Sequence, residues 1–111
     1  MTNDRRRGEE RRAVERFPVN IDVEWEGLVG RKAGTISDMS PIGCFVLCSG
    51  EVEDGETIKI FFPLTDGRTI QLWGEVANHV FEIGFAAKFI ELTDAQAEFL
   101  DFFVDMMQDG E

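Results

Sequence analysis

The sequence predicts a mainly β fold: a small antiparallel barrel followed by a C-terminal α-helix and preceded by an arginine-rich arm. Three observations predict it. Apolar residues alternate with polar ones in short runs, and clusters of turn formers recur every 8 to 12 residues, as in a small barrel rather than an α/β fold. A helix-capping signature then opens a final segment of helical periodicity.

The body begins at Phe17-Pro18, where Val19, Ile21, Val23 and Trp25 alternate with Asn20, Asp22, Glu24 and Glu26. That period of two marks a half-buried strand. Gly27 and Gly30 bracket a turn, and Arg31 to Ser37 reads as the second strand. Asp38-Met-Ser-Pro-Ile-Gly43 is dense in turn formers. Cys44 to Cys48 gives a third strand, and a turn at Glu53-Asp54-Gly55 leads to a fourth over Thr57 to Phe62. Asp66-Gly67 suits a tight hairpin turn into a fifth strand, Thr69 to Val76. Residues 83 to 90 supply the last.

Thr93-Asp-Ala-Gln96 has the form of a capping box, with Thr93 as N-cap. Phe99, Phe102, Phe103 and Met106 follow at helical spacing. Leu100, Val104 and Met107 widen the apolar arc to roughly 200°, where a helix lying on one surface needs about 100° or somewhat more. Two readings of the excess stay open. Either the helix also meets a second surface, a dimer mate or a partner protein, or the barrel mouth wraps more of it than usual.

The 111 residues correspond to one domain, with an ordinary globular composition of 43% apolar and 30% charged residues. No stretch approaches the roughly 18 apolar residues of a membrane span. The N-terminal segment lacks the apolar run of a secretory signal, so the chain is expected in the cytoplasm with reduced cysteines. Four residues of strand place Cys44 and Cys48 on one face but roughly 13 Å apart. That is too far for a disulfide or a shared metal, so both read as structural. His79 is the only histidine, and no arrangement of nucleophile and base suggests an enzyme.

Charge is unevenly distributed. Arg5, Arg6, Arg7, Arg11, Arg12 and Arg16 stand against four acidic residues in the first sixteen positions, a net +2, while residues 17 to 111 carry five basic against eighteen acidic residues, a net −13. Every basic residue of the arm is arginine, which favours planar, bidentate recognition of phosphate or a purine edge. The acidic body opposes a long polyanion, and the interleaved aromatic and basic surface of an RNA-binding barrel is missing.

Two motifs stand in a suggestive order: an RxxxR, Arg12-Ala-Val-Glu-Arg16, and a DxSxxG, Asp38-Met-Ser-Pro-Ile-Gly43, with a strand pair between them. In this order and spacing they resemble the PilZ family of cyclic-di-GMP receptors. The Gly55-Glu-Thr-Ile-Lys-Ile-Phe-Phe run, Gly74-Glu-Val, Gly84-Phe-Ala-Ala-Lys-Phe89 and the closing helix look like later parts of that domain. The resemblance covers about residues 10 to 107. It implies a six-stranded barrel over about 17 to 90, a helix over about 94 to 107, a basic arm at 1 to 10, a tail at 108 to 111, and the bacterial second messenger as ligand, with no cofactor.

The same resemblance implies the ligand site. Arg12 and Arg16 suit either phosphate or the O6/N7 edge of guanine. Asp38 would repel phosphate, so it is expected to accept from guanine N–H groups or to orient an arginine of the arm. Ser40 offers a hydroxyl to phosphate or base, or stabilises the turn. Gly43 is expected to give a conformation or close approach that a Cβ would block. Arg11 stands where the family's residue bears on ligand number, and its guanidinium suits stacking on guanine in an intercalated pair of ligands. Arg5, Arg6 and Arg7 add charge. Some members place an aromatic residue against guanine from a later strand; Trp73 is the candidate here, although its setting reads foremost as core.

Ligand bridging the arm to the DxSxxG segment is expected to build a surface read by another protein. The alternatives are a PilZ-like interaction module without ligand and, less favoured, a nucleic-acid-binding barrel.

Overall fold

The computed structural model describes residues 16–109, with side chains through Met106. Six strands, β1 (Phe17–Gly27), β2 (Gly30–Ser40), β3 (Gly43–Leu47), β4 (Thr57–Pro63), β5 (Thr69–Val80) and β6 (Gly84–Phe89), precede one helix, α1 (Asp94–Asp109). All the pairings are antiparallel and close a barrel in the order β1-β2-β3-β6-β5-β4. The seam between β4 and β1 is short, with Glu24 opposite Phe61, Trp25 opposite Ile60 and Glu26 opposite Lys59.

The period-two pattern explains the core. Val23 and Trp25 from β1, Ile36 from β2, Val46 from β3, Ile58 and Ile60 from β4, Leu72 and Val76 from β5 and Phe85 from β6 all point inward and are buried. Trp25 meets Phe85 edge to face at 5.0 Å between ring centroids, a favoured geometry for aromatic pairs.

Because every strand reverses the chain, the connections fall at two opposite ends. The β1–β2, β3–β4 and β5–β6 connections share one end; the β2–β3 and β4–β5 connections and the entry to α1 share the other. The helix packs at this second end. Thr93 and Gln96 exchange the two capping-box bonds, Gln96 Oε1 accepting from Thr93 N–H at 3.0 Å and Thr93 Oγ1 from Gln96 N–H at 3.1 Å. Gln96 also donates to the carbonyl of Gln71 at 2.8 Å, fixing the first turn of the helix to β5. Leu100 and Val104 are buried, and Phe99 and Phe103 meet the Phe62 ring edge-on at 5.7 and 5.3 Å.

The barrel therefore covers a wide arc of α1, and Phe102 and Met106 are left exposed on its outer side. The side chain of Met107 lies outside those described.

Several boundaries differ from the sequence expectation. β2 extends through Asp38 and Met39 to Ser40, so most of the segment expected as a turn is strand. The reason is a bulge: the β2–β3 register shifts between Ile36 and Asp38, which inserts one residue and breaks the alternation. β5 continues past Val76 to Val80 over a second shift between Val76 and Asn78. Asp66-Gly67 lies in a five-residue loop between Pro63 and Thr69 rather than a tight two-residue turn. Trp73 is not a core residue. It lies on the outer face of β5, 40% exposed.

Candidate functional site

The DxSxxG segment forms the end of β2, a two-residue connection (Pro41-Ile42) and the first residue of β3, with Ser40 opposite Gly43. Neither Pro41 nor Ile42 has positive φ, so the connection is not one of the primed turns whose twist best suits a hairpin. Side-chain and long-range bonds hold it instead. Ser40 Oγ accepts the Ile42 N–H at 3.2 Å and lies 3.4 Å from the Gly43 carbonyl, to which it donates. The Ile42 carbonyl in turn accepts the Phe89 N–H at 2.9 Å, which ties the hairpin tip to β6.

Each residue of the motif therefore has a distinct place. Ser40 is fully buried and its hydroxyl is engaged within the hairpin. Gly43 is needed for close approach rather than for an unusual φ, since a Cβ there would come within 2.4 Å of the Ala87 carbonyl oxygen of β6. Asp38 reaches the surface on the outer face, paired in register with Pro18 of β1 and Phe45 of β3.

Arg16, immediately before β1, meets Asp38: its Nη1 lies 3.1 Å from Asp38 Oδ1, with the two side chains 41% and 35% exposed. A guanidinium carries five N–H donors in a planar fork. The carboxylate engages one end of that fork and fixes its direction, leaving donors for another anion or an acceptor edge. Of the arginines expected at the site, Arg16 is thus brought to the DxSxxG segment. Arg7, Arg11 and Arg12 lie outside the described residues.

The strands add two lysines, Lys88 and Lys59, that the sequence reading did not single out. Lys88 of β6 stands opposite Gly43 of β3 and opposite Glu75 of β5, and it is exposed. The alternation of Phe85, Ala87 and Phe89 into the core could have placed it outward. Farther along β5, Trp73 presents its ring to Lys59, whose ammonium lies 4.9 Å from the ring centroid, within cation–π range.

Cys44 lies just inside this face, in the core. Burial, opposed by Arg16 and reinforced by Asp38, pushes its thiol up from about 9.0 to about 12, so it is held as a neutral packing residue. Burial also raises the Cys48 thiol above its ordinary value. No group of three or more possible metal ligands occurs among the described residues.

The sequence matches the PilZ domain family over residues 6–105, nearly its whole length. The chain belongs to the PilZ domain family. Solved structures share its fold. The PilZ domain of CeSA from a cellulose-synthesizing bacterium aligns with a TM-score of 0.62 at 22% identity, over 81% of this chain and 93% of that one. The Bacillus subtilis inhibitor of motility (MotI/DgrA) aligns at 0.73 and 15% identity, over 86% of this chain and 50% of its own. The Borreliella burgdorferi PlzA protein, solved in complex with c-di-GMP, aligns at 0.66 and 14% identity, over 90% of this chain and 43% of its own. This PilZ chain thus spans half or less of the last two proteins. Among curated proteins, none matches it in sequence.

Proposed function

We propose that this PilZ domain is a receptor for cyclic-di-GMP, holding the ligand between the arginines that lead into β1 and the outer face of the β2–β3 hairpin. The observation that carries the reading is the Arg16–Asp38 contact, which presents an oriented guanidinium beside the DxSxxG hairpin. Family membership and the c-di-GMP complex of the PlzA neighbour support it.

The residues divide the work by chemistry. Arg16 and Arg12 donate to a phosphate or to the guanine O6/N7 edge. Asp38 positions Arg16 and accepts from guanine N–H groups, because a carboxylate close to phosphate would repel it. Ser40 and Gly43 hold the hairpin in the shape that exposes Asp38 while β6 approaches closely. Lys88 adds a cation on the same outer face for the second phosphate, and Arg11 stacks on a guanine of an intercalated pair.

Binding in this way fixes the arm across the hairpin and creates a composite surface of arm, ligand and barrel. A partner protein in the cytoplasm that reads this surface would sense the messenger, so the chain acts as an adaptor rather than as an enzyme. Differential scanning fluorimetry against cyclic-di-GMP, cyclic-di-AMP, GTP and GMP tests the ligand class. A concentration-dependent rise in melting temperature with cyclic-di-GMP alone is expected, since a ligand that binds only the folded state stabilises it by mass action. Equal shifts with GTP or cyclic-di-AMP, or none with any nucleotide, would exclude the reading.

A further inference from the structure

The barrel end opposite the helix carries an apolar surface that the ligand reading does not use. Two hairpin tips project there. Leu28 and Val29 form the β1–β2 connection, and Phe81 and Ile83 flank Glu82 in the β5–β6 connection. Leu28 is 82% and Phe81 78% exposed, and Val29 and Ile83 are also exposed. The tips border one continuous groove of about 600 Å³ whose floor is the chain from Ser49 to Glu53. Contiguous apolar surface of this kind, as opposed to scattered single residues, marks an interaction site.

The groove is built rather than loose. The buried carboxylate of Glu56 accepts the N–H of Leu28 at 2.7 Å and of Glu53 at 2.9 Å, so one side chain clamps the first hairpin to the groove floor. The second hairpin is held by the Cys48 N–H, which donates to the Ile83 carbonyl at 3.0 Å. Glu82, between Phe81 and Ile83, has φ of 61°, a left-handed conformation disfavoured for a residue with a side chain.

Charge selects the occupant. Glu51, Glu53, Glu56 and Glu82 line the groove, and none of its lining residues is Lys or Arg. Its histidine, His79, is already paired with Asp54 at 2.8 Å, and Lys32 passes beside Gly50 at its edge. A second copy would bring this acidic end, or another face of a body at net −13, against the same carboxylates. The chain's own arm has the right charge, but Met1, Ala13 and Val14 are all it offers to apolar pockets.

From these observations we infer that this barrel end docks a basic, amphipathic segment of a partner protein, with apolar anchors between the two hairpins and Lys or Arg side chains on the glutamate rim. The site lies across the barrel from Arg16 and Asp38 and does not depend on a nucleotide ligand.

The test is NMR titration of the full chain with three synthetic 16-residue peptides: an amphipathic Leu/Lys peptide, its Leu/Glu counterpart, and a Ser/Lys peptide of equal charge. Saturable shifts centred on residues 28–29 and 79–84 with the Leu/Lys peptide alone are expected. A Leu28→Ser, Phe81→Ser variant should bind it at least tenfold more weakly, whereas Phe102→Ser, on the exposed side of α1, should not. Both substitutions fall at exposed tips, so unchanged melting temperatures are expected to accompany the loss.

Shifts centred on α1, or equal binding of the Ser/Lys peptide, would overturn the inference. So would shifts at residues 28–29 and 81–83 on removal of residues 1–15, which would make the arm the occupant. Self-association abolished by Phe81→Ser would overturn it in favour of a second copy.

Discussion

Arg16 Nη1 sits 3.1 Å from Asp38 Oδ1, joining two residues 22 positions apart and linking the end of the RxxxR to the start of the DxSxxG. Both side chains remain more than a third exposed, and the pair lies at the surface. The physical expectation is that this contact orients a binding group and adds little to stability. Exposed pairs are typically worth about 0–1 kcal/mol. Urea denaturation of Arg16→Ala, Asp38→Ala and the double variant should therefore place all three within about 1 kcal/mol of the parent. A loss of several kcal/mol would make the pair a structural element instead.

The two buried members of the motif should behave in the opposite way. Gly43→Ala puts a Cβ 2.4 Å from the Ala87 carbonyl oxygen, and the β3–β6 pairing must yield. A loss of about 1–3 kcal/mol is expected, the usual cost of overpacking. Ser40→Ala leaves the Ile42 N–H without its hydroxyl partner, for about 1–3 kcal/mol if water does not replace it. Equilibrium denaturation measures both, and neutral effects would show that the hairpin is held by its backbone alone.

Cys44 offers a pH test. Its folded thiol is pushed up from about 9.0 to about 12, chiefly by burial. Below pH 9 both folded and unfolded chains hold the proton, and its contribution to stability is fully present. As pH rises from about 9 toward 12 the unfolded chain ionises first, so that contribution is lost progressively. The urea midpoint should fall more steeply above pH 9 in the parent than in Cys44→Ala. In the native state a thiol reagent should modify Cys48 first and reach Cys44 only on unfolding, because Cys44 is buried and Cys48 only partly so.

Helix α1 should act as part of the core rather than as an appendage. Leu100→Ala is expected to cost about 3–5 kcal/mol, the range for a buried leucine whose site does not collapse. Thr93→Ala removes the cap at Gln96 N–H and should cost about 1 kcal/mol. Phe102→Ser, on the exposed side, should change stability by less than about 0.5 kcal/mol. Thermal and urea unfolding distinguish these ranks directly.

The fold was legible because alternation is a local signal. Val19 to Trp25 in β1 and Thr93 to Gln96 at the helix start identify their elements without knowledge of their neighbours. The end of β2 was not legible for a specific reason. Ile36 and Met39 both point inward across a bulge, so a reader following the period of two loses the strand at Ser37 and takes Asp38 for a turn. Trp73 was misread beside Leu72, although Ile70, Leu72, Gly74 and Val76 carry the inward register and leave Trp73 outside.

At the site, the RxxxR and DxSxxG could be seen as motifs, and the option that Asp38 orients an arm arginine matches the Arg16 contact. The engagement of Ser40 within the hairpin and the position of Lys88 depend on the pairing of β2, β3 and β6. No single segment encodes that. The groove at the opposite end likewise requires two hairpins, distant in sequence, to meet.

Isothermal titration of the full chain with cyclic-di-GMP, beside Arg16→Ala and Asp38→Ala, tests the central claim most directly. Saturable binding by the parent is predicted, weakened at least tenfold by Arg16→Ala and reduced by Asp38→Ala, with all three proteins equally folded; the stoichiometry distinguishes one ligand from an intercalated pair. Binding of undiminished affinity in both variants, or no binding by the folded parent, would contradict the account.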